Sequence, residues 1–432
     1  MEKLNFMMLK SKKPWLAIGL SLYTIVCEAQ QKLNLSGILH RIEEIHPDLK
    51  MMDAKVKELD AYAEGARNWE APKFGAGFFM TPYNYMMWSR AGALYHEGMN
   101  QGMGSFMVQG EQMIPNRKML DAEERYMKSM SGMEVAQKGV MRNMLFAEAK
   151  MAYYRWLVLE KKKNVLKESQ NLLKYMIESA EVRYKYNQEK LSSIYKAKAA
   201  LLDLDRMNLM FDGDIRQQKV MLNTLMLQDR ATDFQIDTLS LTYLYPNTPL
   251  NLDTNAVVNR SDLKVIDQNL TISRYKQEVE FQKLKPMFGV QYGHMFAFGN
   301  QWQFTLMGMV TIPFAKWSSR QIKANLKGLD YQRQAYNKQR EGLTNQILGN
   351  LADRQVMMQS YQAQIKQYEN EQFPALRKRY QSTLLAYEQN TDELFMVLDA
   401  WMELKMARMN QLDLLQQLLQ AQIEYEKELE KR

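Results

Sequence analysis

Apolar residues recur every seven positions along one stretch of the chain, at Met130, Met144, Met151, Val158, Val165 and Leu172, and only Gln137 breaks the file. A seven-residue apolar repeat is a coiled-coil seam, because two turns of a slightly underwound helix bring the side chain back to one face. No proline lies between Pro115 and Pro246, so nothing interrupts the backbone hydrogen bonds of a helix over 118–182. At 1.5 Å per residue that helix is roughly 97 Å long, about three times the hydrocarbon thickness of a bilayer. A rod of this length needs neighbours all along it. A second rod, over 316–385, carries Ile322, Leu329, Tyr336, Leu343 and Met357 at heptad spacing. A return helix over 394–429 carries Leu398, Trp401, Leu412, Leu415 and Leu419. Pro374 predicts a local kink in the second rod.

A different period governs the segment before that rod. Trp302, Phe304, Leu306, Gly308, Val310 and Ile312 alternate with Gln303, Thr305, Met307, Met309 and Thr311, and Phe288, Val290 and Tyr292 continue the apolar set on a partner strand. Alternation of this kind marks a strand with one apolar and one mostly polar face. In a soluble protein this would be a half-buried hairpin, but two hairpins about 200 residues apart in sequence cannot form a stable sheet alone and leave open edges. Closing them with other copies of the chain, with lipid outside and water inside, accounts for the alternation.

The two periods occur twice. Aligning Asp48 with Asp262 brings Leu49 onto Leu263, Lys50 onto Lys264, Pro72 onto Pro286, Phe74 onto Phe288 and Gly75 onto Gly289, at one shift of 214. The MIP at 113–115 meets the TIP at 311–313 at a shift of 198, so the first copy holds a loop longer by 16 residues. Tyr184, Asn187, Leu191 and Ala197 meet Tyr387, Asn390, Leu394 and Ala400 at a shift of 203. The fold class expected is mainly α with β, as two tandem repeats of helix, β-hairpin, long helix, turn and helix. They occupy 30–228 and 260–432. The first opens with a helix from about residue 36, broken near Pro47 and resumed to residue 69. Between the repeats, 229–259 loses helical periodicity and reads as a connector with a short strand near 239–244. Asn187 and Asn390 stand where the chain reverses, and Asn is the usual substitute for Gly in the left-handed conformation that ends a helix.

Composition narrows the setting. Hydrophobic residues make up 46% and charged residues 25%, mean hydropathy is −0.47, and no run of about 18 apolar residues exists, so any membrane-spanning part must be β. The formal charge of +8 is spread over long helices, and no basic-aromatic module for nucleic acid is present. Residues 1–29 read as an export signal: Lys3, Lys10, Lys12 and Lys13 precede an apolar run over 15–27, with Cys27 and Ala29 as small residues at a cleavage site. Cys27, the single cysteine, belongs either to that cleavage site or to a lipid attachment, and bulky Val26 favours cleavage near Ala29. The mature chain then holds no thiol, which suits an oxidising compartment.

The duplicated segments carry a resemblance. HPDLK and RSDLK resemble the repeat starts of the TolC-like outer-membrane efflux proteins, and QMIPNRKM resembles their turn into the long helix. RYKYNQEKLSSIYKAKAAL and AYEQNTDELFMVLDA resemble their two hairpin tips, and YENEQFPALRKRYQ is similar to a proline-containing run of the heavy-metal branch. Asn187 and Asn390 replace a usual Gly, and Asn116-Arg117 replaces a usual Pro-Gly pair. The resemblance covers essentially the whole mature chain. It implies a homotrimer in which four strands per chain close a twelve-stranded outer-membrane barrel above a long periplasmic α-helical barrel. It also implies a passive efflux duct working with a periplasmic adaptor and an inner-membrane pump, of the RND type, and surrounded by outer-membrane lipid. A coiled-coil adhesive surface protein or a periplasmic pump adaptor is the alternative, but an adaptor has one helical hairpin where two are read here.

Candidate chemistry is sparse. His40, His46, His96 and His294 show no metal spacing, and neither a phosphate-binding glycine loop nor a nucleophile elbow occurs, so neither an enzyme nor a cofactor is expected. Methionine is over-used, 34 of 432 residues. Met86, Met87, Met99 and Met103 gather in the long first loop, where thioethers could ligate a soft metal cation, although methionine also serves as adaptable filler. The two tips concentrate polar groups, Arg183, Tyr184, Asn187, Glu189 and Lys190 in one and Tyr387, Asn390, Asp392 and Glu393 in the other. They are read as a gate, with Asp392 and Glu393 as a cation-attracting mouth.

Overall fold

The computed structural model describes residues 32–237 and 257–431. The expected export signal with Cys27 and the strand near 239–244 lie outside the described residues. In chain order the elements begin with β1 (Lys32–Leu33), α1 (Leu35–Ile45), α2 (Pro47–Glu64), β2 (Lys73–Phe79), α3 (Arg90–Glu97) and β3 (Ser105–Ile114). The rod α4 (Arg117–Lys185), the return helix α5 (Leu191–Leu225) and β4 (Gln235–Ile236) follow. Then come α6 (Ser261–Gln282), β5 (Met287–Ala297), β6 (Gln303–Thr311), α7 (Lys316–Gln367), α8 (Phe373–Glu388) and α9 (Leu394–Glu428).

Local signals set the helix ends. The Asn34 side chain accepts from the Gly37 N–H at 2.9 Å, and Pro47 occupies the first turn of α2, where its missing N–H costs nothing. The break at Pro47 is therefore a fresh helix start. The helix resumed there gives way to a 3-10 turn over Gly65–Arg67, slightly short of the expected residue 69. Asn116, a departure from the family pattern, caps α4 by accepting from the Lys118 N–H at 3.0 Å. With 69 residues, α4 is about 100 Å long. The second rod is interrupted: a π turn over Tyr368–Gln372 joins α7 to α8. Pro374 has no N–H and its ring crowds the preceding turn, and the chain relieves this with the wide bond from the Phe373 N–H to the Tyr368 carbonyl. The kink expected at Pro374 takes this form.

The seam of α4 differs in phase from the sequence expectation. The most deeply buried file is Leu145, Ala152, Leu159, Leu166, Leu173 and Ala180, completed by Ala149, Trp156 and Ile177 four residues on from members of it. These pack with α5 and α1 side chains such as Ile194, Leu204, Leu222, Ile38 and Ile42. The file chosen from sequence lies one residue earlier. Of it, Val158 is fully buried and Met144 is about half exposed. Val158 belongs to a second core with Leu263, Ile347, Leu351, Leu412, Leu415 and Leu419. The rod is thus apolar on two adjacent flanks because it is packed on both, by α5 on one and by α6 and α9 on the other.

Four strands form one antiparallel sheet in the order β2, β3, β5, β6. The two hairpins pair with each other through β3 and β5, from Ser105 opposite Ala297 to Ile114 opposite Phe288, so they do form a sheet within one chain, with β2 and β6 as open edges. Register places Phe74, Phe78, Phe106, Val108, Phe288, Val290, Tyr292, Phe304, Leu306 and Val310 on one face. Many of them are bare: Phe74 is 80% exposed, Phe304 69% and Leu306 68%. β1 and β4 form a separate short parallel pair.

Candidate functional site

The turns from α4 to α5 and from α8 to α9 are built alike. After α4, the Gln188 N–H donates to the Arg183 carbonyl and the Asn187 N–H to the Tyr184 carbonyl, both at 3.0 Å. After α8, the Thr391 N–H donates to the Ala386 carbonyl at 2.9 Å and the Asn390 N–H to the Tyr387 carbonyl at 3.0 Å. Each turn is a Schellman cap, which requires a left-handed residue at its centre. Asn187 (φ 59°) and Asn390 (φ 60°) supply it. In each turn an acidic side chain then accepts from the next N–H, Glu189 from Lys190 and Asp392 from Glu393, at 2.9 Å.

Side chains knit the two turns together. Lys190 Nζ pairs with Glu393 Oε1 at 2.6 Å. Arg183 Nη1 donates to the Tyr387 carbonyl at 2.9 Å, and its guanidinium lies 4.3 Å from the centre of the Tyr387 ring. The Tyr387 ring is buried, and that burial, with the negative charge of Glu189, pushes its phenol up to about 12. Pairing with Glu393 raises the Lys190 ammonium. An open cavity of about 370 Å³ lies between the turns, lined by Arg183, Asn187, Glu189, Tyr387, Asn390, Asp392 and Glu393, with Gln188, Lys190 and Thr391. Of the tip residues singled out in sequence, only Tyr184 lies off this lining, and it is partly exposed on its helix.

Sequence reasoning missed the supports behind the turns. Lys198 pairs with Glu181 at 2.6 Å, the Lys196 ammonium sits 3.3 Å from the centre of the Phe395 ring, and Arg379 pairs with Asp399 at 2.9 Å and with Glu403. The Lys190–Glu393 pair had a sequence signal, since the two stand at equivalent positions at the shift of 203 and carry opposite charge. The Lys198 and Arg379 pairs join consecutive helices across their turns and the Lys196–Phe395 contact joins distant ones, and none of these shows in the repeat.

The methionine loop is folded onto the sheet. Trp88 stacks on Phe298 with ring centres 5.0 Å apart, and the Met103 N–H donates to the Met87 carbonyl at 2.9 Å. Met87 and Met103 are thereby neighbours, whereas Met86 and Met99 are each about half exposed. Among the described residues, no group of His, Cys, Asp and Glu is placed to hold a metal ion, and no helix is long and apolar enough to cross a membrane.

Long helical hairpins run from one four-stranded antiparallel sheet. Solved outer-membrane channels share this arrangement. The chain superposes on CusC, a protein described as forming a transmembrane channel, with TM-score 0.72, 14% identity and 91% of each chain covered. It superposes on the outer membrane protein VceC of Vibrio cholerae with TM-score 0.71 and 17% identity over 91% of this chain and 95% of that one. The open state of the MtrE outer membrane channel of Neisseria gonorrhoeae matches with TM-score 0.70 and 14% identity over 92% and 89%. No protein-family model and no curated protein matches the chain. The resemblance read from the duplicated segments thus holds at the level of the fold.

Proposed function

We propose that the chain is the outer-membrane channel of a tripartite efflux system, a passive exit duct and not an enzyme. The observation that carries this reading is the bare aromatic and aliphatic face of the four-stranded sheet. A face this apolar costs stability in water at about 25 cal/mol for each Å² left exposed, and costs nothing against lipid. Its two open edges call for more strands, and three copies of the chain supply twelve. The solved channels of the same fold support this assignment. In it, residues 30–228 and 260–432 are tandem repeats, 229–259 is their connector, and the long helices extend into the periplasm as a helical barrel. The partners are a periplasmic adaptor and an inner-membrane pump of the RND type. An adhesive coiled coil would not need the sheet.

The tips serve as the periplasmic gate. The Lys190–Glu393 and Arg183–Tyr387 contacts hold two hairpins of one chain together at the end where the helices reverse, and the exposed Lys190–Glu393 pair is weak enough for a docking partner to release. Asp392 and Glu393 give the mouth its cation preference. Fractionation with a mass measurement in detergent tests the assembly: recovery as a monomer, or in the inner membrane, would sink it. Planar bilayers test the gate. The Asp392→Asn/Glu393→Gln variant should show more closed-state leak and less cation preference, and an unchanged trace would place gate and filter elsewhere.

A second reading concerns cargo. The loop thioethers, with Met87 and Met103 brought side by side, favour a soft metal cation among the substrates. Replacing Met86, Met87, Met99 and Met103 by Leu keeps bulk and removes sulfur. Unchanged copper and silver resistance in cells carrying that variant would make these residues filler.

A further inference from the structure

All six methionines within the strands fall on one face of the sheet. Register puts Met107, Met113, Met287, Met295, Met307 and Met309 on the side that also bears Gln109, Glu111 and Gln291. The opposite face, which runs from Phe74 to Val310, contains none. Were methionine only an adaptable apolar filler, a lipid-compatible face would accept it as readily as Val, Leu or Phe. The segregation needs another cause. What sets a thioether apart from those side chains is that it is also a ligand, and a soft one.

The sulfurs fall into two groups. Met107 and Met295 are directly opposite on neighbouring strands, which places their Cβ atoms about 4.5–5.5 Å apart. The second group surrounds Gly289, which lies between Met113 and Met309 in register. Met113 Sδ is 2.7 Å, and Met309 Cε 3.3 Å, from where a Cβ at position 289 would stand, so both side chains fold over the glycine. Met287 and Met307 are each two residues away on the same face. Between the groups, Gln291 Nε2 donates to Gln109 Oε1 at 3.1 Å, and Glu111, opposite Gln291, adds a negative charge.

We propose that this face is a binding track for a soft monovalent cation, held by thioether sulfurs in two successive positions. Sulfur donors with few oxygens select against sodium, magnesium and calcium, which want oxygen shells. The proposal rests on reading this face as the water-filled interior of a barrel, and it moves the main metal contact from the outer loop to the sheet.

The test uses the full chain in detergent and silver nitrate in chloride-free buffer, titrated calorimetrically. Met113→Leu/Met287→Leu/Met307→Leu/Met309→Leu and Met107→Leu/Met295→Leu should each bind silver about tenfold or more weakly. The loop variant lacking Met86, Met87, Met99 and Met103 should bind as the unmodified chain does. Silver binding unchanged in both sheet variants, or lost only in the loop variant, would overturn the proposal. If a multiple variant does not assemble, Met113→Leu and Met295→Leu are titrated singly, with the same expectation. Sodium conductance in planar bilayers is recorded in parallel. A chain that binds silver but conducts nothing would defeat the channel reading and leave the site standing.

Discussion

The two halves of the chain reach the same turn by different rods. In the first, α4 runs 69 residues without interruption and buries apolar files on two flanks. In the second, α7 covers 52 residues, gives way to the π turn before Pro374, and leaves more of its surface bare, with seven buried side chains against twenty in α4. The tips nevertheless share one backbone design, Schellman cap for Schellman cap. Their side chains diverge where each turn meets the other: Lys190 answers Glu393, and Arg183 reaches over Tyr387 from a position whose counterpart is Ala386. Backbone geometry at a reversal is dictated by hydrogen bonding, so it tolerates little change. The side chains facing a partner are free to become complementary.

The largest expected effect separates the two rods. Leu166→Ala, at a fully buried position of α4, should lower stability by about 2–5 kcal/mol, whereas Val356→Ala in α7 should stay within about 0.5 kcal/mol if its face remains in water. Denaturant melts in detergent read both. A large loss at Val356 would mean that a neighbouring subunit covers this face.

Proline exchange comes next. Pro374→Ala restores one N–H but leaves the extra residue of the π turn in place, so it should gain at most about 1 kcal/mol, while Lys174→Pro, placed at an exposed site in α4, should cost about 3 kcal/mol. Helical circular dichroism against temperature checks the pair. A gain as large as the Lys174→Pro loss would show that the ring alone keeps the interruption open.

The turns should respond less. Asn187→Ala and Asn390→Ala each put a Cβ-bearing residue without a compensating amide into the left-handed region, costing about 1 kcal/mol, and the Gly replacements should be neutral or mildly stabilising. Unequal penalties would break the equivalence of the two caps.

The smallest effect on stability belongs to the solvent-facing pair. Reversing Lys190 or Glu393 alone should raise closed-state leak, and the Lys190→Glu/Glu393→Lys exchange should restore it. Pairing raises the Lys190 ammonium, so its favourable contribution is complete below the ordinary lysine range and is lost as pH rises through the raised value. Leak should accordingly be flat around neutrality and increase only in strong alkali. A leak that rises between pH 6 and pH 8 would assign the gate to another group.

Much of this architecture is legible in the sequence. Period seven announced the rods, period two announced the strands, and Asn at the reversals announced left-handed caps, because each is a local demand of backbone geometry. The repeat itself located the tips, and eight of the nine residues named there line one cavity.

The chain by itself therefore determined which segments are helix, strand and turn, and that a seven-residue seam exists. Only the tertiary structure decided which seam is the core. A repeat of seven sets spacing but not phase, and with apolar residues on two adjacent flanks of α4 the choice between Met144 and Leu145 depends on which helices lie alongside. The pairing of β3 with β5, the seating of the Lys196 ammonium on the Phe395 ring, and the folding of Met113 over Gly289 were hidden for the same reason. Each joins residues about 180 to 200 positions apart, and no local preference of either partner carries the identity of the other.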